Sequence, residues 1–274
     1  MTRMRLLSAG LLLALLLAAC GGGDTAQEAP ESASESESES ESEAASESGV
    51  EGDVLVFAAA SLTDAFNELG STFTEDNPDA TVTFNFASSS QLATQITEGA
   101  PADVFASANQ TQMDVVGDAD LLEGESQQFT ANRLAIAVEP GNPLGVMGLA
   151  DLANPELTLV LAAEEVPVGQ YGREALDAAG VTAEPASLEV DVRAVLSRVS
   201  LGEADAGIVY TSDIASTEDV EGVEIPEEEN IVASYPIAAL TDAPNPEGAA
   251  AFTEFVLSDD GQAVLTKYGF AEPE

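Results

Sequence analysis

The chain has 274 residues, with 50 Asp and Glu against 7 Lys and Arg, no His and one Cys, for a formal net charge of −43. That balance excludes nucleic acid as a partner, because a polyanion repels a protein this acidic. Without His there is no Ser-His-Asp arrangement, and one Cys allows no internal disulfide and no common zinc or copper site.

Residues Met1 to Cys20 read as an export signal. Arg3 and Arg5 precede an apolar run from Leu6 to Leu17 that is too short to span a bilayer durably. Leu17-Ala18-Ala19-Cys20 resembles a bacterial lipobox, which predicts lipidation of Cys20 and a membrane tether outside the cytoplasm. A diacylated Cys would supply the two chains that stable anchoring needs. Gly21 to Glu51 opens with three glycines and runs into alternating Ser and Glu from Glu31 to Ser48, with almost nothing apolar, so a disordered linker is expected there. From Gly52 onward, 40 acids face 5 bases. Such a surface suits a salty environment, where like-charge repulsion is screened.

The folded part opens with Val54-Leu55-Val56-Phe57, an apolar run that predicts a buried strand. Ser61 follows three alanines and occupies an expected helix N-cap. Leu62, Ala65, Phe66, Leu69 and Phe73 then mark one helical face, and Asn77-Pro78 stops it. Thr81 to Phe86 predicts a second strand, running through Ser88-Ser89-Ser90 into a helix from Gln91 to Glu98 that ends at Gly99. Pro101 to Ala106 predicts a third strand, and Met113, Val115 and Val116 a further helix.

Arg133 to Val138 predicts a strand halted by Pro140-Gly141-Asn142-Pro143. Leu149 to Leu152 predicts a short helix and Leu157 to Leu161 a buried strand. Val166-Pro167-Val168-Gly169 leads into a helix from Gln170 to Ala179. Asp191-Val192-Arg193 opens another, carrying Val195, Leu196 and Val199. Ala206 to Tyr210 predicts a strand, Ile231 to Ala239 an extended segment crossing back, and Glu247 to Leu257 and Gly261 to Tyr268 two closing helices. This alternation predicts an α/β fold with mostly parallel sheets.

Open α/β sheets bind ligands beyond the carboxyl ends of their strands. Here four such ends combine hydroxyls with unpaired N–H groups at helix starts, at Ser61, Ser88 to Ser90, Val168-Gly169 and Asp191-Val192. No basic side chain lies in the first three turns, so a fully ionised oxyanion held by neutral donors is the favoured ligand. Tyr210 could add a phenol O–H. Arg193 is read as pairing with nearby carboxylates. Catalysis is not expected.

Phe57-Ala58-Ala59-Ala60-Ser61-Leu62, Phe86-Ala87-Ser88-Ser89-Ser90, Gly99 to Phe105, Val166 to Tyr171, Asp191-Val192-Arg193, Gly207-Ile208-Val209-Tyr210 and Lys267-Tyr268-Gly269-Phe270 occur in this order. The chain thereby closely resembles the molybdate-binding protein family of bacterial ABC uptake systems over Val54 to Phe270. The resemblance implies a two-lobed, type II periplasmic-binding-protein fold with a two-crossing hinge. Lobe I would comprise residues 52–131 and 237–274, and lobe II residues 132–236. It also implies molybdenum bound as molybdate, through hydroxyl and backbone N–H at Ser61 and Ser89, backbone N–H at Val168 and Val192, and the phenol of Tyr210. Tungstate or sulfate are the alternative ligands. No cofactor is implied; the expected partners are a membrane permease with its ATPase, and the expected state is a monomer.

Overall fold

A computed structural model describes residues 49–273. The signal, Cys20 and all but the last residues of the linker lie outside them.

The first third is built from β1 (Gly52–Ala59), α1 (Thr63–Asp76), β2 (Ala80–Ala87), α2 (Ser89–Thr97), β3 (Val104–Ala106) and α3 (Gln110–Gly117). β1 runs parallel to both β2 and β3. A second set of parallel strands comes from β5 (Leu159–Ala162), β6 (Ser187–Glu189) and β7 (Ala206–Tyr210), with α4 (Pro167–Ala178) and α5 (Val192–Ser200) as crossovers. The two sets are joined by β4 (Gln127–Val138) and β9 (Val232–Ala239), which are antiparallel to each other. β4 pairs with β9 as far as Arg133 and with β7 from Leu134 onward, while β9 pairs with β3 from Ile237. The strand order is β2-β1-β3-β9-β4-β7-β5-β6. The fold is therefore two-lobed, each lobe a parallel core to which the crossing strands add antiparallel pairs.

Apolar burial explains the elements. Val54 and Val56 of β1 are fully buried, as are Phe66 and Leu69 of α1. Phe66 sits edge-on to Phe84, Phe129 and Phe252, with ring centroids 5.9–6.1 Å apart. Those rings come from β2, β4 and α7 (Pro246–Leu257), so one side chain fastens three elements to α1. Such aromatic pairs contribute about 0.5–1.5 kcal/mol each beyond the area they bury. The chain closes with α8 (Asp259–Lys267), and Ala271 exchanges backbone hydrogen bonds with Ala131 of β4.

Several features depart from the sequence reading. β4 begins at Gln127, six residues before the expected Arg133. Asn132 is buried there and bonded to Ser212 and Thr211, and a register shift lies between Gln128 and Thr130, so no clean apolar alternation marks this stretch. α4 begins at Pro167 rather than Gln170, because Pro suits the first helical position. A five-residue α6 (Thr211–Ala215) and the strand β8 (Glu221–Glu224) went unpredicted. The first is too short to show a period, and Glu-Gly-Val-Glu has almost no apolar face.

A cavity of neutral donors between helix starts

Ser61 does not cap α1. It lies in a short 3-10 turn, Ala60–Leu62, which inserts between β1 and α1, and Leu62 takes the cap position without a side-chain bond. Freed from capping, the Ser61 hydroxyl lies 2.9 Å from the Tyr235 hydroxyl of β9. Ser88 is the true cap of α2, accepting from the Gln91 N–H. Ser89 is thus the first helical residue. Its Oγ accepts from the Ala108 N–H at 2.9 Å, which leaves its own proton free to be donated.

Val168 and Val192 open α4 and α5, at the second and first helical positions. Backbone N–H groups in a first turn have no intrahelical acceptor. Asp191 caps α5 by accepting from the Ala194 N–H at 2.8 Å. Tyr210 ends β7, and its N–H donates to Asp213 Oδ2 at 3.0 Å.

These elements bring Ser61, Ser89, Val168, Val192 and Tyr210 to the wall of one cavity, with Ala59, Ala60, Ser88, Ala108, Val166, Pro167 and Asp191. The lobes meet here. All five of the sequence-predicted residues are buried. The cavity measures about 10 Å³, on the scale where one enclosed water takes about 10–15 Å³. In this arrangement the space is on the scale of one water.

The Tyr210 hydroxyl is the exceptional group. It is buried and makes no hydrogen bond of ordinary geometry, although the ring packs edge-on against Tyr235 at 5.9 Å. Burial, then the neighbouring Tyr235, pushes its pKa well above the normal tyrosine value. It therefore stays a neutral donor at any physiological pH.

No wall residue is Lys or Arg. Arg193 turns away from the cavity to Asp64 of α1 at 2.6 Å, Asp213 at 3.1 Å and Ser216 at 3.2 Å, as the sequence reading expected. Asp213 is fully buried, and burial raises its carboxyl to about 6 against the lowering effect of Arg193. A folded-state pKa above the unfolded one means that the folded chain holds this proton more tightly. The stabilisation is complete below the unfolded value and is lost as pH rises through about 6. Wild type is expected to lose on the order of 3 kcal/mol relative to Asp213→Asn between about pH 4 and pH 6, read as the difference between paired thermal melts.

Tyr235 and Ala108 were not singled out from the sequence. Tyr235 lies 174 residues from Ser61, and an alternating strand gives no sign of which distant hydroxyl its phenol meets. Asp191 carried a signal: an Asp directly before a helical period is a cap.

Residues 54–271 match the family model described as bacterial extracellular solute-binding protein. The chain belongs to that family. Such proteins work outside the cytoplasm. The molybdate-binding protein ModA of Mycobacterium tuberculosis is 41% identical over 271 residues, 97% of this chain and 98% of its own length. Among solved structures, the molybdate-binding protein of Azotobacter vinelandii aligns with a TM-score of 0.69 at 18% identity, over 81% of this chain and all of its own. The sulfate-binding protein SubI of M. tuberculosis aligns at 0.73 and 16%, over 80% of this chain and 86% of its own. At that identity both structures speak for the fold alone. In this family member the cavity lies between the lobes, where a bound solute would contact both.

Proposed function

We propose that this solute-binding protein captures molybdate between its lobes and hands it to a membrane permease driven by an ATPase. It works as a monomer, tethered outside the cytoplasm through lipidated Cys20. Ser61 and Ser89 bind through hydroxyl and backbone N–H, Val168 and Val192 through backbone N–H, and Tyr210 through its phenol. The molybdenum arrives as the dianion, so no resident cofactor is required.

The observation that carries this reading is the unpartnered Tyr210 hydroxyl, buried in a small cavity with no basic side chain on its wall. An unmet buried donor costs about 1–3 kcal/mol, a debt that an incoming oxyanion cancels. Hydrogen bonds to a charged acceptor contribute about 1.5–3 kcal/mol each, so several neutral donors hold a dianion without a counter-charge. The 41% identity to a molybdate-binding protein over nearly the full length supports the choice of ion.

Thermal-shift titration tests it, since a ligand that binds only the folded state raises the melting temperature. Molybdate is expected to raise it in wild type, and a hundredfold excess over Kd would stabilise by about 2.7 kcal/mol. Val192→Pro removes a single N–H at the helical position that best tolerates proline, after an extended Asp191. Its affinity is expected to fall about tenfold or more. A wild type unmoved by molybdate but raised by sulfate would transfer the assignment to sulfate. No response to either would end the oxyanion reading.

A further inference from the structure

Arg193 directly follows Val192, yet its guanidinium forms no part of the cavity wall. It reaches two carboxylates, each three residues beyond a cavity residue. Asp64 stands one turn after Ser61 on α1, and Asp213 three positions after Tyr210 on α6. Asp213 spends one carboxylate oxygen on the Tyr210 N–H and turns the other toward Arg193. One fork thus touches the supports of two cavity turns. Those supports lie in different lobes: Asp64 belongs to the lobe of β1, whereas Arg193 and Asp213 belong to the lobe of β7.

We propose that Arg193 is a positioning residue, a latch that binds Asp64 only when the lobes close and so holds the Ser61 turn against the Tyr210 turn around the solute. This rests on the oxyanion reading above. The chain's charge makes such a latch useful. Closure brings together two lobes that share 40 acids and 5 bases, and a cation at the seam converts a local repulsion into an attraction. Arg suits the task better than Lys, because its planar fork can serve two carboxylates at once. The bonds that Asn109 Nδ2 and Gln112 Nε2 donate across the seam, to Gln170 Oε1 at 3.2 Å and to the Glu165 carbonyl at 3.5 Å, are neutral. When the lobes part, the Asp64 contact breaks while Asp213 stays with Arg193 inside its own lobe. Asp64 is already 40% exposed and loses little by returning to water.

A latch acts on the closed state alone, and an ordinary structural ion pair acts on both states. Asp64→Asn removes the charge and keeps the shape. Release of labelled molybdate, tungstate or sulfate in a cold chase is expected to be about fivefold faster than in wild type at low salt, the size of effect a partly exposed ion pair supports. Asp64→Glu is expected to restore slow release. The ratio should shrink toward one in about 1 M salt, where the Debye length is near 3 Å. The melting temperature of the ligand-free protein should stay within a degree or two of wild type. Equal release rates in Asp64→Asn and wild type would overturn the latch and leave the oxyanion reading standing. So would a ligand-free melting point lowered as much as the liganded one. A wild type that retains none of the three anions overturns both.

Discussion

Tyr210→Phe is expected to weaken oxyanion binding about ten- to a hundredfold without lowering the melting temperature of the ligand-free protein. The two effects part company because the hydroxyl makes no hydrogen bond of ordinary geometry inside the protein. Removing a satisfied buried hydroxyl normally costs stability, since its partner is stranded. Here Tyr235 keeps its bond to Ser61, and the ring keeps its edge-on contact with Tyr235. Only the bond to the solute disappears, and a bond to a charged acceptor accounts for about 1.5–3 kcal/mol. Calorimetric titration beside a thermal melt reads both quantities on one sample. A drop in affinity matched by a drop in ligand-free stability would mean that the phenol supports the fold, not the solute.

Gly169→Ala should cost more, about 3 kcal/mol of stability or beyond, together with most of the binding. A methyl group there would lie 2.0 Å from the Ala163 carbonyl oxygen and 2.7 Å from that of Ala162. Both are backbone atoms, so no rotamer change relieves the clash, and overpacking against rigid neighbours is the costly kind. The helix α4 must back away from the end of β5, carrying the Val168 N–H out of the cavity. Arg173 reinforces this junction by donating to the Ala162 and Gly169 carbonyls. Denaturant unfolding would show a lower midpoint, and added molybdate would restore little of it. An unchanged midpoint would show that the close approach of α4 to β5 is not needed.

Much of this was legible in the sequence, for identifiable reasons. Apolar runs such as Val54 to Phe57 and helical spacings such as Val192, Val195, Leu196 and Val199 announced elements that the fold contains. A repeated device, a strand ending in small or hydroxyl residues before a helix, pointed to Ser61, Ser89, Val168 and Val192. The five candidates converge on one cavity because parallel strands with crossover helices place all such ends on one side of their sheet. What stayed hidden depends on contacts distant in the chain. Ser61 looked like a cap, yet the 3-10 turn shifts the helix start by one residue and hands its hydroxyl to Tyr235. The pairing of Arg193 with carboxylates was foreseeable from the acid excess. Its choice of two partners, 129 residues upstream on α1 and 20 downstream on α6, was not.

The aromatic junction of the crossing strands has an optical consequence. The chain has no Trp and four Tyr, so its near-ultraviolet spectrum belongs to tyrosine. Two of the four, Tyr210 and Tyr235, pack edge-on between β7 and β9, and Tyr235 also meets Phe129 and Phe270. Two of the four tyrosines therefore stand where the lobes join, and one of them, Tyr210, lines the cavity. A change in the packing of the lobes would therefore register in near-ultraviolet circular dichroism without a label, with Tyr171 and Tyr268 as the remaining tyrosine signal.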